Sequence, residues 1–133
     1  MGIRFEKDTL MNWMNEIGKY LRLITDRYSA FEEVEDTDFF NQGYIDFFGK
    51  DRSFFLGLSD EDLMAYIRTD LEVEQLRPLG LVMMQDGLHS GQLSEQQNLL
   101  MKARLILDYV IKQTSSFAFE DYGYLATIDA KLK

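Results

Sequence analysis

Apolar residues recur along this chain at spacings of three and four, the pattern of helices that bury one side. The first stretch is the cleanest. Leu10, Trp13, Met14, Ile17, Tyr20, Leu21, Ile24 and Tyr28 share one stripe, with Asn12, Asn15, Glu16, Lys19 and Arg22 opposite. This predicts an amphipathic helix opened by Asp8, with Gly18 marking a close helix–helix contact. An acidic connector, FEEVEDTD at 31–38, leads to a short second helix, capped by Thr37 or Asp38 and closed by Gly49. Ser59, with Asp62 three residues on and Leu63, Met64 and Ile67 behind it, opens another short helix that breaks near Thr69-Asp70.

The densest apolar region is 76–113, which reads as LRPLGLVMMQDG, a polar break LHSGQLSEQQ, and NLLMKARLILDYVIKQ. Both arms are apolar on more than one side, so they are expected to be buried rather than superficial. Leu79, Leu81, Val82, Met84, Leu100, Ala103, Leu107 and Val110 would then hold the remaining helices in place. The first arm begins near Glu72 and ends at Gly87 as its C′ residue. Pro78, the only proline, either marks a late start of that arm or kinks it. Ser94 with Gln97 makes a capping box for the second arm, which runs to about Thr114. A closing helix over 117–132 places Phe117, Tyr122, Tyr124, Leu125 and Ile128 over the hairpin. No strand pattern competes. The expectation is an all-α fold: one domain over 1–133, with five or six helices packed as antiparallel hairpins.

Composition narrows the functional classes. The chain has 133 residues, enough for a real core, and ten Phe and seven Tyr to fill it. Fourteen basic residues against 23 acidic ones give a net charge of −9, and the basic ones are scattered, so nucleic acid is not expected as a partner. There is no cysteine, hence no disulfide, thiolate metal site or Cys nucleophile. The N-terminus MGIRFEKDTL is charged where a signal peptide needs an apolar run, and it has Glu6 where myristoylation needs Ser or Thr. No apolar run is long enough to cross a bilayer. A cytoplasmic protein without membrane contact is therefore expected.

Candidate chemistry is sparse. The doublets Phe39-Phe40, Phe47-Phe48 and Phe54-Phe55 are the most distinctive feature. They line an aromatic surface that grips a peptide or small apolar ligand, or they are core rings on a helix and loop wedged between neighbours. Rings are normally the largest contributors to a core, which favours the second reading. His89, the one histidine, falls in a polar turn and reads as a solvated loop residue. Asp86 and His89 have the spacing of two ligands on a helix, but the adjacent glycines and the lack of a second histidine argue against a metal site. Glu32, Glu33, Glu35, Asp36 and Asp38 lack the alternation and central glycine of a calcium loop and read as a solvated connector. No nucleophile–base pair, phosphate loop, metal set or cofactor box emerges, so no catalytic residue is expected. Met83, Met84 and Met101 read as gap-filling core residues.

Two fragments resemble a tetratricopeptide repeat. Leu76-x-x-Leu79-Gly80-x-x-Met83 is similar to its first helix and Ala103-x-x-x-Leu107 to its second. The intervening loop is longer than in a regular repeat, and the closing proline is missing. More broadly, EKDTLMNWMNEIGKYLRLI, then FFLGLSDEDLMAYI, then a hairpin with a glycine-bearing turn resembles a family of small tetratricopeptide-like bacterial proteins. That family implies a fold and brings no established activity. Repeat-type hairpins leave a groove, so a non-enzymatic helical protein-interaction module is the first expectation, with a basic or helical partner suited to the acidic surface. A homo-oligomer, such as a homodimer formed through apolar surface on the first helix or the Phe-rich segment, is the second. A small-ligand binder with an aromatic pocket is the third.

Overall fold

Residues 7–30, 37–114 and 119–132 are described by the computed structural model, and within them every element is a helix. They are α1 (Lys7–Ala30), α2 (Thr37–Phe48), α3 (Arg52–Gly57), α4 (Asp60–Thr69), α5 (Val73–Leu88), α6 (Leu93–Thr114) and α7 (Phe119–Leu132). The fold is all-α. The helix beyond the expected six is α3, which starts because the Asp51 carboxylate accepts from the Phe54 N–H at 2.8 Å. A cap on a six-residue helix that follows Gly49 closely and itself ends on Gly57 is easily read as a turn.

The hairpin of α5 and α6 is the axis of the molecule and has its most extensive helix–helix contact. Leu76, Leu79, Val82, Met83 and Met84 of α5 are buried with Leu99, Leu100, Ala103, Ile106, Leu107 and Val110 of α6. Of the expected scaffold residues, Leu81 alone is only half-buried. Met101 is exposed rather than a core filler, because it lies on the side of α6 away from α5. α1 packs on α5 and α7 on α6, while α2, α3 and α4 close the remaining sides. α7 is held by the buried Ile128 and by a forked pair from Arg77 to Asp121 at 2.8 and 3.1 Å.

Several expected helix ends fall elsewhere. Ser59 caps α4 as expected, its hydroxyl accepting from the Asp62 N–H at 3.1 Å. Asp8 lies inside the first turn of α1, and Ser94 inside that of α6, so neither is the cap. Gly49 does end α2, with φ +73° and its N–H on the Ile45 carbonyl at 3.0 Å. Gly87 does not end α5, which continues to Leu88 with His89 as its cap. A Cβ at Gly87 would lie 2.9 Å from Leu100 Cγ, so glycine is there to let α6 approach rather than to turn the chain. Pro78 is the sixth residue of α5, so the helix starts well before it. Phe117 and residues 31–36, including the acidic run up to Asp36, lie outside the described residues.

The close contact expected at Gly18 is absent, since a Cβ there would meet nothing within 4 Å. It occurs at Gly43 instead. α1 and α2 are joined by two side chains that donate to backbone carbonyls: Trp13 Nε1 to Phe47 at 2.9 Å and Tyr20 Oη to Phe39 at 3.2 Å. Tyr20 lies across Gly43, where an added Cβ would overlap its phenol and sit 2.8 Å from Cε2. Gly43→Ala is therefore expected to destabilise by about 1–3 kcal/mol, despite alanine's better helix propensity. Tyr20→Leu should remove most of that penalty in a double-mutant cycle read by urea denaturation. Additive effects would mean that Tyr20 is not what excludes the methyl group.

Candidate functional site

The six phenylalanines divide by a simple rule. Within each doublet the second ring, Phe40, Phe48 or Phe55, is buried, and the first, Phe39, Phe47 or Phe54, is half-buried. Neighbours on a helix point about 100° apart, so one enters the core and the other covers its shoulder. The shoulder rings have aromatic partners: Phe39 lies 5.1 Å from Tyr20, Phe47 5.3 Å from Tyr20 and Phe54 5.5 Å from Tyr66. Phe39 also lies under the Arg27 guanidinium at 4.8 Å. Burial and the charge of Asp70 push the Tyr66 phenol up to about 12. The rings form a ladder joining α1, α2, α3 and α4.

Beneath the ladder lies a polar cluster that the sequence reading missed. Asp86 of α5 is 2% exposed and receives three donors: Arg52 Nε at 2.9 Å, Arg52 Nη2 at 3.0 Å and Tyr44 Oη at 2.8 Å. Arg52 Nη2 also reaches Glu95 at 3.4 Å, and the Arg52 backbone N–H donates to Asn41 Oδ1 at 2.8 Å. Burial raises the Asp86 carboxyl above its ordinary range, against the opposing pull of Arg52 and Tyr44. Burial also acts to lower Arg52, but its bonds to Asp86 and Glu95 outweigh that and leave it more firmly protonated. Tyr44, fully enclosed and donating to a carboxylate, is pushed well above its usual value by burial first and Asp86 second. Three donors on two oxygens match the ionised acid. The cluster fastens α2 and α3 to the α5–α6 hairpin. One signal was available: Asp86 sits in an arm apolar on more than one side, where a buried charge needs a partner.

His89 is half-buried as the cap of α5, its N–H on the Gln85 carbonyl at 3.1 Å, rather than solvated. Burial lowers its basicity, and the Lys131 charge lowers it further. No group of three or more His, Cys, Asp or Glu side chains is placed to hold a metal ion among the described residues.

An apolar hollow opens where the first half of α5 meets α1 and the end of α6. A hollow of about 300 Å³ is walled by Met14, Val73, Pro78, Leu81 and Val110, with Glu74 and Arg77 completing its lining. A second hollow of about 240 Å³ lies on the other side of Val73, between Ile67, Leu71, Leu76 and Tyr109. Val73 is thus a ridge, 48% exposed, and Met14 forms the opposite lip of the first hollow at 40%. Pro78 has no N–H to return to the Glu74 carbonyl, so that carbonyl loses its i+4 intrahelical donor. None of the six phenylalanines lines either hollow. Arg77 is committed to Asp121, so its charge is already balanced beside the hollow.

Comparison with known proteins adds no relative: no protein-family profile, curated protein or solved structure matches the chain. No helix among the described residues is long and apolar enough to cross a membrane.

Proposed function

We propose that this protein is a non-enzymatic helical interaction module that seats the aliphatic edge of a partner helix in the hollow between α1 and α5. The observation that carries this reading is the pairing of an apolar, concave floor with two exposed aliphatic lips, Met14 and Val73. Aliphatic side chains exposed around a concavity favour an occupant that buries them. The hollow, at about 300 Å³, fits a few aliphatic side chains.

The test uses a synthetic amphipathic helix of leucine and lysine as the probe. Methyl NMR should show shifts centred on Met14, Val73, Leu81 and Val110. Val73→Glu, on an exposed lip, should abolish them while leaving thermal melting unchanged. Shifts centred instead on the Phe-rich face, or binding indifferent to Val73→Glu, would overturn the assignment.

A further inference from the structure

α1 has a second apolar strip besides the one it buries. Ile17 and Ile24 face the core, and Met11, Met14, Gly18 and Leu21 run about a quarter turn away from them. Their spacing is three, four, three, the register of a seam between two helices. Met11 is 55% exposed and Met14 40%, Leu21 is half-buried, and a Cβ at Gly18 would meet nothing within 4 Å. The strip therefore has a gap at its middle that no part of the described fold fills. Met14 belongs both to it and to the hollow beside α5.

Charge says what fits there. α1 carries four basic residues, Lys7, Lys19, Arg22 and Arg27, against three acidic ones, Asp8, Glu16 and Asp26. It carries one net positive charge in a chain of −9, so the acidic excess lies outside α1 and two copies that meet through this helix keep it away from the contact. The flank of the strip carries Asp8, Asn15 and Arg22, seven residues apart and all exposed. An antiparallel pairing of this strip with itself puts Met11 on Leu21 of the second copy and Met14 against the gap at Gly18. In that pairing Asp8 falls about half a turn from Arg22 of the second copy, within reach of its long side chain and twice by symmetry, and Asn15 falls about half a turn from its own equivalent. A parallel pairing in register would instead stack Asp8 on Asp8 and Arg22 on Arg22.

We infer that the occupant of this face is a second copy of the chain, held by an antiparallel two-fold pairing of α1 centred near Asn15. The inference rests on the interaction-module reading and names its partner. The contact runs from Asp8 to Arg22, about 21 Å of helix, and brings the α1 of the second copy alongside the hollow walled by Val73, Pro78 and Leu81.

Sedimentation equilibrium should show a monomer–dimer equilibrium up to about 100 µM, a range where specific pairings of micromolar strength are populated. Gly18→Lys adds a side chain where the fold has open space, so helix content should hold and the dimer should be lost. Asp8→Arg or Arg22→Asp alone should weaken pairing about tenfold, and the two together should restore it. The chain has no cysteine, so Asn15→Cys reports the axis directly. It should form a disulfide dimer under mild oxidation much faster than Leu23→Cys, an exposed site on the other side of α1. A wild-type monomer at 100 µM, equal oxidation of the two cysteine variants, or a dimer indifferent to Gly18→Lys would each overturn the pairing. A monomer that still takes the leucine–lysine helix in its hollow would overturn self-pairing alone and leave the module reading standing.

Discussion

Asp86→Ala is expected to destabilise the fold by about 3–5 kcal/mol, the range for removing one partner of a buried ion pair. The loss is large because the residues left behind stay buried. Arg52, 7% exposed, would keep only the 3.4 Å contact to Glu95, and the Tyr44 hydroxyl would lose its acceptor. Domains of this size have about 5–15 kcal/mol in total, so a third or more of the stability would go. In urea the midpoint should fall by about 2 M with little change in slope. Asp86→Asn keeps an acceptor for Tyr44 but leaves the guanidinium only its longer ion pair with Glu95, and should fall between alanine and wild type. The combined change of Asp86→Leu, Arg52→Met and Tyr44→Phe should recover most of the loss, since a well-packed apolar replacement avoids the cost of burying ions. A loss under about 1 kcal/mol for Asp86→Ala would show that water reaches this cluster. Because the cluster joins residues 34 to 43 positions apart, it also fixes which side of the hairpin α2 and α3 cover.

How legible this was in the sequence depended on the range of the interaction. Helix periodicity is local, so the all-α fold and the α5–α6 axis could be read from spacing alone. Ser59 and Gly49 act within four residues of themselves, and both were legible as helix ends. Gly87 and Gly18 misled for the same reason. A glycine can turn a chain, admit a neighbour or do neither, and the deciding atom is Leu100 in one case and empty space in the other. The Asp86–Arg52 pair and the hollow beside Met14 are both assembled from helices distant in sequence. Periodicity marks a side as apolar without saying which part of it a neighbour covers. α1 shows this directly: Met14 and Ile17 share one stripe by spacing, yet Ile17 is 1% exposed and Met14 is 40%.

The phenylalanine doublets give the second large effect, because they separate a core from a binding surface. Phe55 has no exposed surface and touches rings from two other helices: Tyr44 at 5.0 Å and Phe48 at 6.3 Å on α2, and Tyr66 at 5.7 Å on α4, between centroids. Phe55→Ala is expected to destabilise by about 3–5 kcal/mol, the transfer of the ring plus the cavity it leaves. α3 has only six residues and little helicity of its own, so most of its hold on the fold is this ring and Arg52. Loss of Phe55 should therefore raise amide exchange first across 52–57, before the α5–α6 hairpin opens. Phe54→Ala, which removes a half-buried ring from the same doublet, should cost about 1–2 kcal/mol. Phe119→Ala, at 88% exposure, should change stability by less than about 0.5 kcal/mol. That ordering follows if the doublets are structural. A ligand-gripping surface gives the reverse pattern, in which Phe54→Ala removes binding at little cost in stability and Phe55→Ala behaves like any tolerated loop change. Urea denaturation of the three variants, read beside exchange at 52–57, decides between them, because a ring that supports α3 from below cannot be removed without loosening it.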